Sequence, residues 1–441
     1  MPKRTDIESI LIIGAGPTGL FLANLLSQMR LDVTVIEKNL STVSEPRAIS
    51  IDDEALRALQ QVGLVDEISK TITRGYGSIY KGPNGKAFAI SNPSSKEFGF
   101  EKRNAFHQPQ FECLLAKALE RHAKTELMFG VELIAFNQNT NLVTAKCRLK
   151  NGTFFTIQAK FLVACDGGKS FVRKSLDIPM FGETFAEPWL IVDLKSTKNR
   201  NFHTEVFCNS ERPFITLPGP NGTRRYEFRI RQKESKNKVK TEEFVRKLLK
   251  ETGPDSEEPI IRILIYTFHA RLAKQWRKGR IFLAGDAAHL SPPFAGQGMN
   301  SGLRDVHNLA WKLDEAMSMK HSDLLLNSYE EERKQHAHEM IKLAIKMGRI
   351  MMPRSKVYGF FVRNIFRLAN CFPPTREFLI QMKYKPKPRF YNGMIWADDF
   401  ASRKTIVGRM IPQPEIECPR GVVTLLDEVL KDRPCVLIFS D

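Results

Sequence analysis

The chain has 441 residues, 42% hydrophobic and 26% charged, which excludes disorder as its default state and leaves room for two or three domains. A formal charge of +18 and a pI near 9.6 make the surface field positive, favouring anionic small molecules, nucleic acid or acidic membranes without choosing among them. The basic residues are spread along the chain, with no zinc-finger spacing and no aromatic-basic RNA-reading motif, and this argues against a nucleic-acid partner. Seven widely spaced cysteines without a C-x-x-C pair point to a reducing compartment, the cytoplasm, and away from a metal site. Asp6 and Glu8 interrupt what could pass for a signal peptide after Lys3 and Arg4, and no apolar run approaches the roughly 18 residues of a membrane span.

The first element is Ile10-Leu11-Ile12-Ile13, wholly apolar and mostly β-branched, the pattern of a parallel strand buried on both faces. It runs into Gly14-Ala15-Gly16-Pro17-Thr18-Gly19, a G-x-G-x-x-G turn, and then into a predicted helix from Leu20 to Met29. Gly14 serves the tight turn, Gly16 lets the backbone approach a pyrophosphate, and Gly19 allows close contact between helix and strand. The helix N-terminus then faces the anion. A second strand, Val33-Thr34-Val35-Ile36, ends at Glu37-Lys38, where the Glu37 carboxylate is placed to accept hydrogen bonds from a ribose hydroxyl pair. This motif indicates a dinucleotide without distinguishing FAD from NAD.

Two further apolar strands end in motifs of their own. Phe161-Leu162-Val163-Ala164 leads to Asp166-Gly167-Gly168-Lys169-Ser170-Phe171-Val172-Arg173. Ile281-Phe282-Leu283-Ala284 leads to Gly285-Asp286-Ala287-Ala288-His289 and on to Pro292-Pro293-Phe294-Ala295-Gly296-Gln297-Gly298-Met299-Asn300. Asp286, at the carboxyl end of a strand, can hydrogen-bond a ligand hydroxyl. Gly296 and Gly298 let backbone N–H groups approach a flat ring, and a helix starting near Met299 aims its positive end at the same place, favouring negative charge there.

These elements match the D-G-x-x-S-x-V-R and G-D-A-A-H-x-x-P-P-x-x-G-Q-G signatures of flavin hydroxylases, and the chain resembles the class A flavoprotein aromatic monooxygenases. Within them it is most similar to the 3-(3-hydroxyphenyl)propionate hydroxylase branch, from about residue 8 to the end. Pro46-Arg47-Ala48 and Arg224-Arg225-Tyr226-Glu227-Phe228 carry the branch likeness, with Phe106-His107-Gln108-Pro109 and Tyr384-Lys385-Pro386-Lys387-Pro388 beside them. The resemblance implies an α/β fold like that of para-hydroxybenzoate hydroxylase, FAD as cofactor, NADPH or NADH as co-substrate, and hydroxylation of an aromatic substrate with O2, as in aromatic catabolism. It implies further that Arg47 and Gln108 contact the phosphate and ribityl region, and that Asp166 and Arg173 support FAD and help the nicotinamide dock. Pro293 would lie where the flavin activates oxygen, and His289 is carried over as a second catalytic candidate. Gly285, Met299 and Asn300 come across as cofactor-binding positions with the glycines, Pro17, Thr18 and Lys38. Nothing here resembles a second nucleotide-binding turn, as the family leads one to expect.

The organisation expected is a discontinuous FAD-binding domain (1–75, 100–185 and 270–345) with an inserted antiparallel-sheet substrate domain (76–99 and 186–269), where apolar and polar residues alternate. A helical segment follows over 346–400. Within it, residues 357–372 put apolar side chains on one face and Arg363 and Arg367 on another, for a helix packed on the FAD-binding domain or lying on a membrane surface. Residues 401–441 resemble the start of a thioredoxin-like domain, truncated after one apolar strand, Val436-Leu437-Ile438-Phe439, with no partner in its own sequence. A flavin reductase, a halogenase or a non-catalytic FAD-binding protein stay open as alternatives, although no W-x-W-x-I-P segment supports a halogenase. A homodimer is compatible with the sequence.

Overall fold

Short apolar runs and the glycine turns between them build the largest sheet of the computed structural model, which describes residues 7–185, 187–319, 322–396, 406–419, 421–431 and 435–437. The sheet has eight strands. Its parallel part runs Ile281–Leu283, Phe154–Ala164, Glu8–Ile13, Val33–Glu37, Thr125–Phe129 in space. Glu8–Ile13 sits centrally with Ile10, Leu11 and Ile12 fully buried, which is why that strand shows no alternation. Helices Pro17–Gln28 and Gly298–Ser318 pack together beside it. Pro17 opens the first of these, where a missing N–H costs nothing. An antiparallel hairpin, Val131–Gln138 with Val143–Leu149, is added to the long strand Phe154–Ala164.

A second sheet has seven strands, in the order Ile260–Tyr266, Trp189–Leu194, Arg224–Arg229, Phe214–Pro218, Thr204–Phe207, Ser78–Lys81, Ala87–Ser91. All pairs are antiparallel except Thr204–Phe207 with Ser78–Lys81. The strand period of two divides its residues cleanly. Leu190, Val192, Phe214 and Phe228 face outward onto helix Glu242–Thr252, while Ile215, Leu217, Thr204 and Val206 face a large cavity beneath. The carboxyl ends of the parallel strands open onto the same cavity, where ligands bind in open α/β sheets.

The C-terminal segment departs from expectation in two places. Helix Lys356–Asn370 lies against strand Ala87–Ser91 of the second sheet, with Phe366 edge-on to Phe88 at 5.8 Å and Asn370 Nδ2 donating to Phe88 O at 2.9 Å, and not on the FAD-binding domain. Further on, Glu415–Cys418 and Val422–Leu425 form a hairpin followed by a short helix, Leu426–Leu430. These dock on helix Asp53–Gln61 through Arg57, which pairs with Asp427 at 2.7 Å and donates to Ile411 O at 2.6 Å. Of the apolar run expected as a lone strand, Val436 and Leu437 belong to no regular element and 438–441 lie outside the described residues.

Candidate active site

The cavity has a volume of about 1540 Å³ and runs from the first glycine turn to the seven-stranded sheet. At the turn, three glycines meet three different constraints. Gly14 has φ +102°, and a Cβ there would stand 2.5 Å from Cys165 O; at Gly19 it would meet Gly14 O at 2.0 Å. Both are packing positions that join helix to strands. Gly16 has nothing within 4 Å of an added Cβ and lines the cavity with Pro17 and Thr18, so a ligand can come against its backbone. Glu37 accepts from Ala15 N at 3.0 Å and from Asn39 N at 2.9 Å. It therefore braces the turn as well as facing the cavity beside Lys38.

Two carboxylates at strand ends look into the middle of the cavity. Asp166 accepts from Val172 N at 3.1 Å through one oxygen, while the other is buried without a partner; burial pushes this carboxyl up. Asp286 is open to the cavity yet walled in by protein, and burial raises its carboxyl too, against the pull of His289 and Arg47. Hydroxyl donors from a ligand would relieve both groups. Gly285 does not line the cavity; its φ of +58° makes the turn that presents Asp286. Arg173, also on the cavity wall, spends two N–H groups on Ala287 O at 3.0 Å and Gly168 O at 3.1 Å.

Arg47 lines the cavity on a loop held from two sides. The Gln108 amide oxygen accepts from Arg47 N at 2.9 Å and Ala48 N at 2.7 Å, so Gln108 shapes this loop besides bordering the cavity. From the second sheet, Arg225 donates to Arg47 O at 2.9 Å and Pro46 O at 2.6 Å, and is itself anchored to Asp193 at 2.6 Å.

Pro293, Gly296, Gly298 and Met299 form the remaining wall, where the 21-residue helix Gly298–Ser318 begins. Gly296 is left-handed with φ +63°, and Gly298 has open space in front of it. Two expectations need correction here. Asn300 is fully buried away from the cavity: its oxygen accepts from Asp52 N at 3.2 Å and its NH2 group donates to Ser50 O at 3.1 Å and Gly296 O at 2.8 Å, which staples the glycine segment in place. His289 is equally remote. Its Nε2 lies 2.6 Å from Asp305, its ring is tilted on Trp276 at 5.3 Å, and it does not touch the cavity. Asp305 also takes Gly285 N at 3.2 Å and Arg333 Nε at 3.1 Å. Burial alone would raise this carboxyl, but His289 and Arg333 hold it below its usual range. His289 thus stands off the cavity and, through Asp305, braces the turn carrying Asp286.

The sequence family described as "FAD binding domain" matches residues 8–344. The chain belongs to the FAD-dependent aromatic hydroxylases. A 3-(3-hydroxy-phenyl)propionate/3-hydroxycinnamic acid hydroxylase of Escherichia coli is 40% identical over 431 residues, 97% of this chain and 77% of that protein. The protein of the same description from Klebsiella pneumoniae is 38% identical over 430 residues, again 97% of this chain and 77% of its own length. Among solved structures, p-nitrophenol 4-monooxygenase PnpA from Pseudomonas putida superposes with TM-score 0.80 at 21% identity, covering 86% of this chain and 98% of that one. The flavin-dependent monooxygenase PieE, in complex with FAD and substrate, gives 0.83 at 18%, covering 96% and 83%. These two establish the fold.

As a class A hydroxylase this protein uses FAD, with a nicotinamide as reductant. Its cavity includes groups that the motifs did not reveal. Tyr76, Tyr80, Arg103 and Tyr384 line the end under strands Ser78–Lys81 and Thr204–Phe207. The signal was faint: Tyr384 belongs to a segment noted only for its likeness, and Arg103 stands four residues before His107 without a motif of its own. Among the described residues no helix is long and apolar enough to cross a membrane.

Proposed function

We propose that this hydroxylase binds FAD along the wall from Gly16 to Met299 and holds a phenolic substrate between the flavin and the seven-stranded sheet. The observation that carries this is one continuous cavity with a backbone cradle at Gly16, strand-end carboxylates in the middle and a sheet face at the far end. Gly16, Pro17 and Thr18 would take the pyrophosphate, Glu37 the ribose, Arg47 a phosphate, and Asp166 and Asp286 the ribityl hydroxyls and neighbouring polar atoms. The open carboxylate oxygen of Asp166 and the empty space before Gly16 fit such a group.

Bound FAD, once reduced, supplies activated oxygen for transfer to an electron-rich ring. The chain's own part is placement. The first turn of helix Gly298–Ser318 contains no acidic residue, so its positive end favours negative charge next to Gly298 and Met299. Pro293 borders the same place, while Val206, Ile215 and Leu217 give the substrate an apolar roof. All seven cysteines are unpaired, which supports the reducing cytoplasm as the working compartment.

The test is an oxygen-uptake screen of FAD-loaded protein with NADH and NADPH over phenols and aromatic acids, 3-(3-hydroxyphenyl)propionate included. Substrate-stimulated uptake with a hydroxylated product on chromatography is expected. Uptake that no aromatic compound stimulates would overturn the proposal, as would oxygen appearing wholly as hydrogen peroxide.

A further inference from the structure

Arg103 directly precedes strand Asn104–Ala105 and lines the cavity at the tyrosine-bearing end. Its guanidinium lies 4.6 Å from the centre of the Tyr76 ring, and Nη1 donates to Ser78 Oγ. Among the described residues no carboxylate forms an ion pair with it, unlike the two arginines of the second sheet that line this cavity. Arg225 and Arg262 both bind Asp193, at 2.6 and 2.7 Å. A cation set back from solvent without a counter-charge is costly, and such groups are ordinarily paired.

Two neighbours share the deficit. The Tyr76 hydroxyl and the Thr204 Oγ1 are buried with no hydrogen-bond partner, although both residues border the cavity. Their proximity is set by the sheet: Thr204 is the register partner of Ser78, the residue that Arg103 binds. A guanidinium fork and two hydroxyls thus border one end of the cavity with most of their donors unused. What satisfies several donors at once is an anion with two planar acceptor oxygens, and the guanidinium fork matches a carboxylate in shape as well as charge.

We propose that Arg103, with Tyr76 and Thr204, is the anchor for a carboxylate borne by the aromatic substrate, making this enzyme selective for phenolic acids over neutral phenols. The proposal rests on the hydroxylase reading above and adds the residues that would hold the substrate's acid group. Tyr80 and Tyr384 wall the same end, so the anchor excludes water while the ring extends toward Pro293.

Binding is tested apart from turnover, by titrating the oxidised flavin spectrum of the FAD-loaded protein with 3-(3-hydroxyphenyl)propionate and with its methyl ester. The wild-type protein should bind the acid about ten- to a hundredfold more tightly, the span of a charge-assisted hydrogen bond. Arg103→Met should remove that preference by weakening the acid while leaving the ester within about twofold, and Arg103→Lys should restore part of it. Equal affinity of acid and ester in the wild-type protein overturns the anchor, a result that needs no variant to fold. So does an Arg103→Met protein that retains FAD and still prefers the acid. If the preference is present but no phenol is hydroxylated, the hydroxylase reading fails while the anchor stands.

Discussion

His289→Ala separates a positioning histidine from a catalytic one. The substitution deletes a buried ring packed on Trp276 and removes the partner 2.6 Å from Asp305, leaving that carboxylate oxygen only the Gly285 N–H at 3.2 Å. A hydrogen bond to a charged group contributes about 1.5–3 kcal/mol. Losing a fully buried ring adds about 2 kcal/mol, allowing for partial collapse of the site. The expected destabilisation is therefore about 3–5 kcal/mol, in the range for breaking a buried pair. Equilibrium urea unfolding of FAD-loaded and FAD-free protein measures it. The folded variant should bind FAD more weakly, because Asp305 also holds the turn presenting Asp286, while its turnover at saturating FAD stays near wild type. A double-mutant cycle with Asp305→Asn should show coupling of about 1.5 kcal/mol or more. If stability changes by less than about 0.5 kcal/mol while turnover falls about a hundredfold, the loss typical of a general acid or base, the reasoning is refuted and His289 is catalytic.

Other perturbations test the rest of the site. Asp286→Ala should weaken FAD binding about ten- to a hundredfold with little change in melting of the FAD-free protein; unchanged affinity on flavin titration would remove Asp286 from the cofactor wall. Arg225→Met should also lower FAD affinity, by freeing the Pro46-Arg47 carbonyls, and a variant with normal flavin retention would show that the loop holds itself. Asp53 is pushed up to about 7, first by burial and then by Asp52 and Glu54 against the pull of Lys385. A raised carboxyl contributes stability present below about pH 4 and lost as pH rises through about 7, so Asp53→Asn should gain over wild type by more than about 1 kcal/mol between pH 5 and 8; parallel melting curves would contradict this. A chain ending at residue 396 should keep its FAD, since every proposed cofactor contact precedes it, but melt lower for want of the Arg57–Asp427 pair. Loss of flavin would make the tail part of the catalytic body.

Much of the cavity wall was legible because it is local chemistry. A strand buried on both faces must be apolar throughout, a tight turn beside Cys165 admits only glycine at 14, and a carboxylate at a strand end follows from the strand itself. Gly16, Glu37, Asp166 and Asp286 all line the cavity. The C-terminal reading fared less well: an amphipathic pattern over 357–372 shows that a helix has an apolar face, but not which sheet receives it.

The sequence by itself determined the fold class, the dinucleotide turn and the order of the flavin motifs, since each depends on residues within a few positions of one another. Tertiary structure alone decided which motif residues face the cavity. His289 and Asn300 sit in the best motif of the chain yet turn inward, because their partners, Asp305 and Asp52, arrive from a helix 16 residues on and a segment 248 residues back. Likewise Arg103 acquires its setting from Ser78, 25 residues earlier, and from Thr204 on a neighbouring strand. A side chain's direction at the end of a short turn costs little either way, so the distant groups that bury or pair it settle the outcome.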